Sequence, residues 1–150
     1  PVLVNSIAQL DELALHISDS AIALAEAFWP GPLTLIFERI STLLPELSGG
    51  LPTIAVRYPN HRTPWDLIHS SGTPITGTSA NLSGGDQPTT PQEVVEQIGD
   101  KVDLLLDAGP CLYAKPSTIV DTTYNSCRLL RAGALPLEAL RQVSDIVENK

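Results

Sequence analysis

The amino-acid sequence predicts an α/β fold in which a mixed parallel and antiparallel sheet carries helices on its faces. Strand and short-helix patterns alternate through the middle of the chain, as they do in α/β folds. The last strand patterns follow each other without an intervening helix, which favours a mixed sheet over a purely parallel one. The 150 residues are 43% hydrophobic and 17% charged, which is typical of a globular domain with one core.

Residues 6–29 are predicted to form two consecutive helices. Ser6 with Gln9 resembles a capping box, and apolar residues then recur at helical spacing. Ser18-Asp19 interrupts that stripe and can cap a second helix. Pro30-Gly31-Pro32 ends the second helix, because proline cannot continue it.

The other elements are predicted from short apolar runs and from proline and glycine. The runs that predict strands are 33–40, 53–57, 74–78, 102–107, 117–122 and 127–131. Thr63-Pro64 opens one helix, which Gly72 ends. Thr90-Pro91 opens another, which Gly99 ends. A final helix is predicted after Pro136, with one apolar face made of Leu137, Leu140, Val143 and Val147.

The charge balance limits the classes of partner. Nine Lys and Arg face seventeen Asp and Glu, which gives a net charge of −8. Affinity for nucleic acid depends on cationic groups that neutralise phosphates, so bulk binding of DNA or RNA is not expected. A small basic cleft remains compatible with this balance.

The cysteine pattern and the hydropathy bear on the compartment. Cys111 and Cys127 show neither a CxxC pattern nor metal-ligand spacing, which predicts two reduced thiols in a cytoplasmic protein. No apolar run reaches the roughly eighteen residues of a membrane span, so no membrane partner is predicted. The first residues lack the basic region of a signal peptide.

Polar residues at strand ends are the candidates for function. Arg57 ends an apolar strand, and its guanidinium would either pair with a structural carboxylate or hold a carboxylate or phosphate of a ligand. Hydroxyl, amide and glycine residues crowd 76–84, as in an anion-binding nest or an ordinary polar turn. No phosphate-loop signature, nucleophile–base set or metal-ligand spacing is present. This inventory favours binding and orienting an anionic nucleotide over covalent catalysis.

Five motifs in order resemble one protein family. They are FWPGPLTLIF at 28–37, AVRYP at 55–59, TSANLSG at 78–84, PSTIVD at 116–121 and LLRAG at 129–133. Together they resemble the YrdC/Sua5 family, the threonylcarbamoyl-AMP synthases, from Pro1 to about Gly133. The resemblance implies a twisted mixed α/β sheet around a concave site.

The resemblance also implies an activity. It is that of a nucleotidyltransferase that uses ATP, L-threonine and bicarbonate with Mg²⁺, releases pyrophosphate, and supplies the precursor of the t6A modification of tRNA. Contact with other tRNA-modification proteins follows from that role. The motifs leave two alternatives open. One is a non-catalytic nucleotide- or RNA-binding module, and the other is a carbamoyl-transfer domain of a hydrogenase-maturation protein.

The resemblance assigns site residues one by one, with no covalent catalyst and no metal ligand among them. Threonine is assigned to Asn5, Arg57, Gly77 and Ser117. ATP is assigned to Thr53, Ser79, Gln87 and Arg131. Two of these depart from the family pattern, since Asn5 stands where histidine is frequent and Gln87 where a small hydroxyl residue is frequent.

The start of the chain departs from the family as well. Family members begin with a T-D-T-x-Y-G-L-like motif and a basic K-x-R…K-P-L stretch, whereas this chain opens at Pro1-Val2-Leu3-Val4. We therefore expect residues 1–150 to form a single YrdC-like domain without the family's N-terminal strands. We also expect this stretch to be inactive alone, because part of the cationic phosphate site lies in that segment.

Overall fold

A computed structural model describes residues 1–111 and 115–148. Its strands are β1 (Val2–Leu3), β2 (Ala14–Leu15), β3 (Leu33–Arg39), β4 (Thr53–Arg57), β5 (Ile75–Thr76), β6 (Thr118–Asp121), β7 (Cys127–Arg131) and β8 (Ile146–Glu148). Its α-helices are α1 (Asp19–Phe28), α2 (Arg62–Ser71), α3 (Pro91–Ile98) and α4 (Leu137–Arg141). The chain divides into one unit made of Pro1–Gly77 with Pro116–Lys150, and a second unit, Thr78–Lys115.

The first unit contains a mixed sheet with the strand order β5-β1-β4-β3-β6-β7-β8, and β2 pairs with β3 beside this path. Three pairs are parallel: β1 with β4, β3 with β6, and β7 with β8. The other pairs are antiparallel, namely β1 with β5, β2 with β3, β3 with β4, and β6 with β7. The predicted fold class is confirmed.

Strand β3 is the centre of the core. Its side chains Leu33, Leu35 and Phe37 alternate along the strand and are buried, as expected of one face of a sheet. Burying each of these side chains stabilises the fold by about 1.5–3 kcal/mol. Thr34 lies between Leu33 and Leu35 and is only 2% exposed, so a polar group is enclosed near the start of this central strand.

The helix predicted at the start of residues 6–29 is wrong, whereas the second one is confirmed. Residues Ile7–Glu12 form a short 3₁₀ helix, and β2 follows it directly. The Ser6 side chain makes no capping hydrogen bond, which removes the expected start signal. Helix α1 begins as predicted, since the Ser18 side chain accepts a hydrogen bond from the Ala21 N–H at 3.2 Å.

Helix α2 begins slightly earlier than predicted. His61, rather than Thr63, is its N-cap residue, and the ring Nδ1 accepts a hydrogen bond from the Thr63 N–H at 3.2 Å. Gly72 ends the helix with φ +69°, a left-handed conformation that favours glycine. Among the described residues, no helix is long and apolar enough to span a membrane.

Two predicted elements near the end of the chain are wrong. The final helix stops at Arg141, and Ile146–Glu148 pairs with β7 as a parallel strand instead. Ile146 and Val147 are β-branched and favour a strand, and β7 offers them main-chain hydrogen bonds at its free edge. These hydrogen bonds outweigh the helical spacing of the apolar residues in the sequence. Residues 102–107 form no strand and are exposed, since in the part of the chain that the structure describes they pair with no neighbouring strand.

The second unit carries one α-helix among its described residues. Thr90 and Glu93 form the predicted capping box at the start of α3. The helix ends at Ile98 as predicted, although a 3₁₀ turn follows at Gly99–Lys101. The Gln97 side chain accepts from the Leu82 N–H and donates to the Asp86 carbonyl, which ties the preceding loop to α3. The predicted single domain over 1–150 stays a prediction.

Candidate functional site

Arg57 lies at the end of β4, where the alternation of the strand sends it away from the core. Ile54 and Val56 point into the core, so Arg57 shares the other face with Thr53 and Ala55. Its Nε donates a hydrogen bond to the Gly31 carbonyl at 3.1 Å. That loop is fixed in turn by the Gly31 N–H, which donates to the Tyr58 carbonyl at 2.8 Å. Within the described residues, NH1 and NH2 of Arg57 have no hydrogen-bond partner and can receive a ligand.

Arg131 lies at the end of β7 and folds back onto Ser117. Its Nε and NH2 donate to the Ser117 carbonyl at 3.1 and 2.8 Å, and NH2 also donates to Ser117 Oγ at 3.1 Å. Gly133 permits this close approach, because a Cβ there would lie 2.5 Å from main-chain atoms of Pro116, Ser117 and Thr118.

A buried hydroxyl pair links this arginine to the centre of the sheet. Ser117 Oγ lies 2.8 Å from Thr34 Oγ1. Ser117 is 8% exposed and Thr34 is 2% exposed. The pair forms because β3 and β6 are parallel, with Thr34 opposite Ile119. The start of β3, the start of β6 and the end of β7 therefore meet at one place.

The two arginines make this place electropositive. Burial lowers the pKa of Arg57, and the positive charge of Arg131 lowers the same pKa further. The ion pairs among the described residues are Arg62 with Asp66 and Arg141 with Glu148, so neither arginine of the site has a carboxylate at salt-bridge distance there. Of the two alternatives for Arg57, the geometry thus favours the ligand fork over the structural ion pair.

Three further predicted residues lie on β4 or just after β1 and β5. Asn5 follows β1 and lies at the same end of the sheet, because Leu3 pairs with Arg57 and the Val4 N–H donates to the Arg57 carbonyl. Thr53 shares a face with Arg57 but lies four residues earlier, about 13 Å along the strand. Gly77 lies beside Pro1, and its N–H donates to the Pro1 carbonyl at 2.8 Å.

The other two predicted residues belong to the second unit. Ser79 is exposed, and its carbonyl accepts a hydrogen bond from the Thr78 hydroxyl at 3.1 Å. Gln87 lines a cavity of about 360 Å³ together with the acidic residues Asp86, Glu93 and Glu96. The negative charge of these three residues disfavours direct contact between Gln87 and a polyanion such as ATP.

A second cavity, in the first unit, lies away from the arginines. It measures about 340 Å³ and is lined at the far end of β3 by Phe37, Glu38, Thr122–Asn125, His16 and Ser18. Arg57 and Arg131 lie near the start of β3, so the two places occupy opposite ends of the same strands.

Gly31 and Thr34 lie within the motif at 28–37, but neither was predicted as a site residue. Thr34 was visible as the polar residue within the apolar run LTLIF, a pattern that asks for a buried hydrogen-bond partner. The role of the Gly31 carbonyl cannot be predicted from sequence, because every residue has a main-chain carbonyl. Only the fold places this one within hydrogen-bond distance of Arg57.

The arrangement can bind and orient anions. Arg57 and Arg131 supply charge and N–H donors, and Ser117 supplies a hydroxyl. Within the described ranges, no three metal-ligating side chains come together.

The comparisons with known proteins decide the family. A family model for Sua5, YciO and YrdC proteins, described as "Telomere recombination", matches residues 1–133. The chain belongs to the Sua5/YciO/YrdC family. The resemblance inferred from the five motifs is confirmed by this match, which spans all of them.

Individual members of the Sua5/YciO/YrdC family match over nearly the whole chain. The threonylcarbamoyl-AMP synthase of Pyrococcus abyssi is 39% identical over 145 residues, which are 95% of this chain and 43% of that protein. The threonylcarbamoyl-AMP synthase of Bacillus subtilis is 35% identical over 146 residues, 95% of this chain and 42% of that protein. The crystal structure of P. abyssi Sua5 complexed with L-threonine superposes with a TM-score of 0.91 at 38% identity, covering 98% of this chain and 45% of that one. The chain spans less than half the length of these relatives.

Proposed function

We propose that this chain provides the substrate-binding domain of an L-threonylcarbamoyladenylate synthase, a nucleotidyltransferase. The enzyme would join L-threonine, bicarbonate and ATP and release pyrophosphate. The relatives of known name and the threonine complex of P. abyssi Sua5 support this activity. The main supporting observation is the pair Arg57 and Arg131. Arg57 is half-buried, Arg131 is folded onto Ser117, and neither has a carboxylate partner among the described residues.

The proposed roles follow from the placement of these groups. Arg57 would hold the threonine carboxylate with NH1 and NH2, and Asn5, Gly77 and Ser117 would complete the threonine site. Arg131 would face the ATP phosphates with its NH1, which has no partner in the described part of the chain. The remaining proposed ATP contacts are Thr53, Ser79 and Gln87, of which Gln87 has the least electrostatic support.

The proposed chemistry needs positioning more than covalent catalysis. The threonine amine takes up the carbon of bicarbonate with loss of water and forms a carbamate. A carbamate oxygen then attacks the α-phosphorus of ATP, the bond to the bridging oxygen breaks, and pyrophosphate leaves with that electron pair. Arg57 and Arg131 would hold the two anions together and offset their repulsion.

Mg²⁺ would enter as the companion of ATP. The described residues group no set of metal-ligating side chains, so phosphate oxygens and water would hold the ion in the usual way. A role in t6A formation, contact with tRNA-modification proteins and a cytoplasmic location complete the proposal. The free thiols Cys111 and Cys127 support that location.

The names of the relatives support the synthase over the two alternatives, the non-catalytic nucleotide- or RNA-binding module and the carbamoyl-transfer domain of a hydrogenase-maturation protein. The test is pyrophosphate release with ATP, L-threonine and bicarbonate. Residues 1–150 are compared with a longer form of the protein that extends upstream of Pro1.

We expect threonine-dependent release from the longer form and little from residues 1–150. ATP carries about four negative charges, and removing fixed cations from a phosphoryl-transfer site commonly costs about 10³-fold in rate. Equal turnover of both forms would show that residues 1–150 suffice. Release that does not depend on threonine would contradict the synthase.

A further inference from the structure

Among the described residues, the enclosed Thr34 hydroxyl has a single hydrogen-bond partner. Thr34 is 2% exposed, and among the described residues the hydroxyl or carbonyl oxygen within hydrogen-bond distance of its Oγ1 is Ser117 Oγ, at 2.8 Å. A buried hydroxyl hydrogen without an acceptor is costly. The Thr34 hydrogen therefore points at Ser117.

The lone pairs of Ser117 are then fully used. A hydroxyl has one hydrogen and two acceptor positions. Arg131 NH2 has no lone pair, so its 3.1 Å contact with Ser117 Oγ is a donation to the serine. The second acceptor position receives the hydrogen of Thr34. Ser117 can accept no further hydrogen bond, and its own hydrogen remains for a ligand.

We infer that Thr34 is a positioning residue that fixes the Ser117 hydroxyl as a donor to a ligand oxygen. The inference rests on the proposed function, because it names what the site selects. The atom facing Ser117 must be an acceptor, such as a carboxylate or phosphate oxygen. Contact with the protonated amine of an amino acid is disfavoured there, because both lone pairs of the Ser117 hydroxyl are already used.

In the binding experiment, the full chain is titrated calorimetrically with L-threonine and, separately, with Mg–ATP. The two titrations show whether Ser117 donates to a carboxylate oxygen or to a phosphate oxygen. Thr34→Val keeps the branched shape of the side chain and removes the donor. We expect the Kd of one of the two ligands to rise about three- to tenfold, as for one neutral hydrogen bond. Thr34→Ser, which keeps the hydroxyl, should restore the affinity.

The matched control is Thr122→Val. Thr122 is 6% exposed, lies just after β6 and donates to the Ile36 carbonyl at 2.7 Å. The substitution therefore removes the hydrogen bond of another buried threonine hydroxyl, at the far end of the sheet. The Thr122→Val chain should be less stable than the wild type but should bind L-threonine and Mg–ATP with unchanged Kd values. In a Ser117→Ala background, Thr34→Val should have no further effect on the Kd, whereas a merely structural role would add its full effect.

The direction of the hydroxyl is measured without any ligand. Nuclear magnetic resonance of the wild-type chain should show a slowly exchanging Thr34 hydroxyl proton close to the Ser117 β-protons. A hydroxyl proton on Ser117 directed at Thr34 would overturn the inference, as would unchanged affinities in Thr34→Val. All residues assigned to threonine lie within residues 1–150, so the proposed function fails if the wild-type chain does not bind L-threonine. The proton measurement still decides the role of Thr34 in that case.

Discussion

Arg57 is the residue on which threonine binding should depend most. Among the residues that the structure describes, only its Nε is engaged, by the Gly31 carbonyl, so the planar end of the guanidinium remains for a two-point contact. We expect Arg57→Lys to weaken the binding of L-threonine by about 1.5–3 kcal/mol and that of ATP by less, because lysine keeps the charge and loses the fork.

The measurement is the Kd of each substrate for the Arg57→Lys chain. Arg62→Lys is the control, since Arg62 pairs with Asp66 on the exposed face of α2 and should change neither value. Unchanged threonine binding with a collapse of ATP binding would show that Arg57 serves the nucleotide instead.

Gly133 tests how closely Arg131 must approach Ser117. An alanine Cβ would lie 2.5 Å from main-chain atoms of Pro116, Ser117 and Thr118, which cannot move aside as a flexible side chain can. We expect Gly133→Ala to destabilise the fold by about 1–3 kcal/mol, as overpacking does, and to weaken ligand binding. Denaturant unfolding checks the first effect. Gly99→Ala, whose Cβ would come nearest to the Val95 side chain, at 3.1 Å, should cost less.

At the scale of elements, α3 depends on its capping box. The main-chain N–H of Thr89 lowers the pKa of the exposed Glu93 carboxyl, with further contributions from the Thr89 hydroxyl and from Thr90. A lowered carboxyl pKa means that Glu93 stabilises the helix above its ordinary pKa of about 4.3, and that this stabilisation is lost as the pH falls through the lowered value.

Amide hydrogen exchange of α3 should therefore show less protection at about pH 3 than at about pH 6, after correction for intrinsic exchange. Glu93→Gln is the control, because glutamine keeps an acceptor and does not titrate in this range. An equal loss of protection in both chains would assign the effect to another group.

Local sequence signals predicted the elements whose ends are capped and the strands that are buried. Ser18, Thr90 and the alternation in β4 mark their elements within a few residues of sequence. The helix expected through Ala14 and the one expected to reach Val147 were wrong, because both segments pair with strands far away in sequence. The motifs predicted Arg57, Arg131 and Ser117, but only the parallel register of β3 and β6 brings Thr34 to Ser117.

At the scale of the whole molecule, the two units should differ in local stability. The hydrophobic core belongs to the first unit, whereas none of the described residues of the second unit is buried. Leu104, for example, is 75% exposed within the apolar stretch 102–107, which forms neither helix nor strand. Regions without buried contacts open at low free-energy cost.

Limited proteolysis should therefore cut within residues 78–111 first. Fragments identified by mass spectrometry should leave the strands of the first unit intact, and substrate binding should be measured on the same samples. First cuts within β3 or β4 would contradict this order of stability.

The hydroxyl pair joins residues that are 83 positions apart in the chain. Such long-range contacts form late, because the entropy of closing the intervening loop must be overcome first. We therefore expect the proposed binding site to be completed late in folding. A ligand that binds only the finished site should slow unfolding without hastening folding, and at about a hundredfold excess over its Kd it adds about 2.7 kcal/mol of stability. The fraction of chains that bind such a ligand therefore measures the fraction that have completed folding.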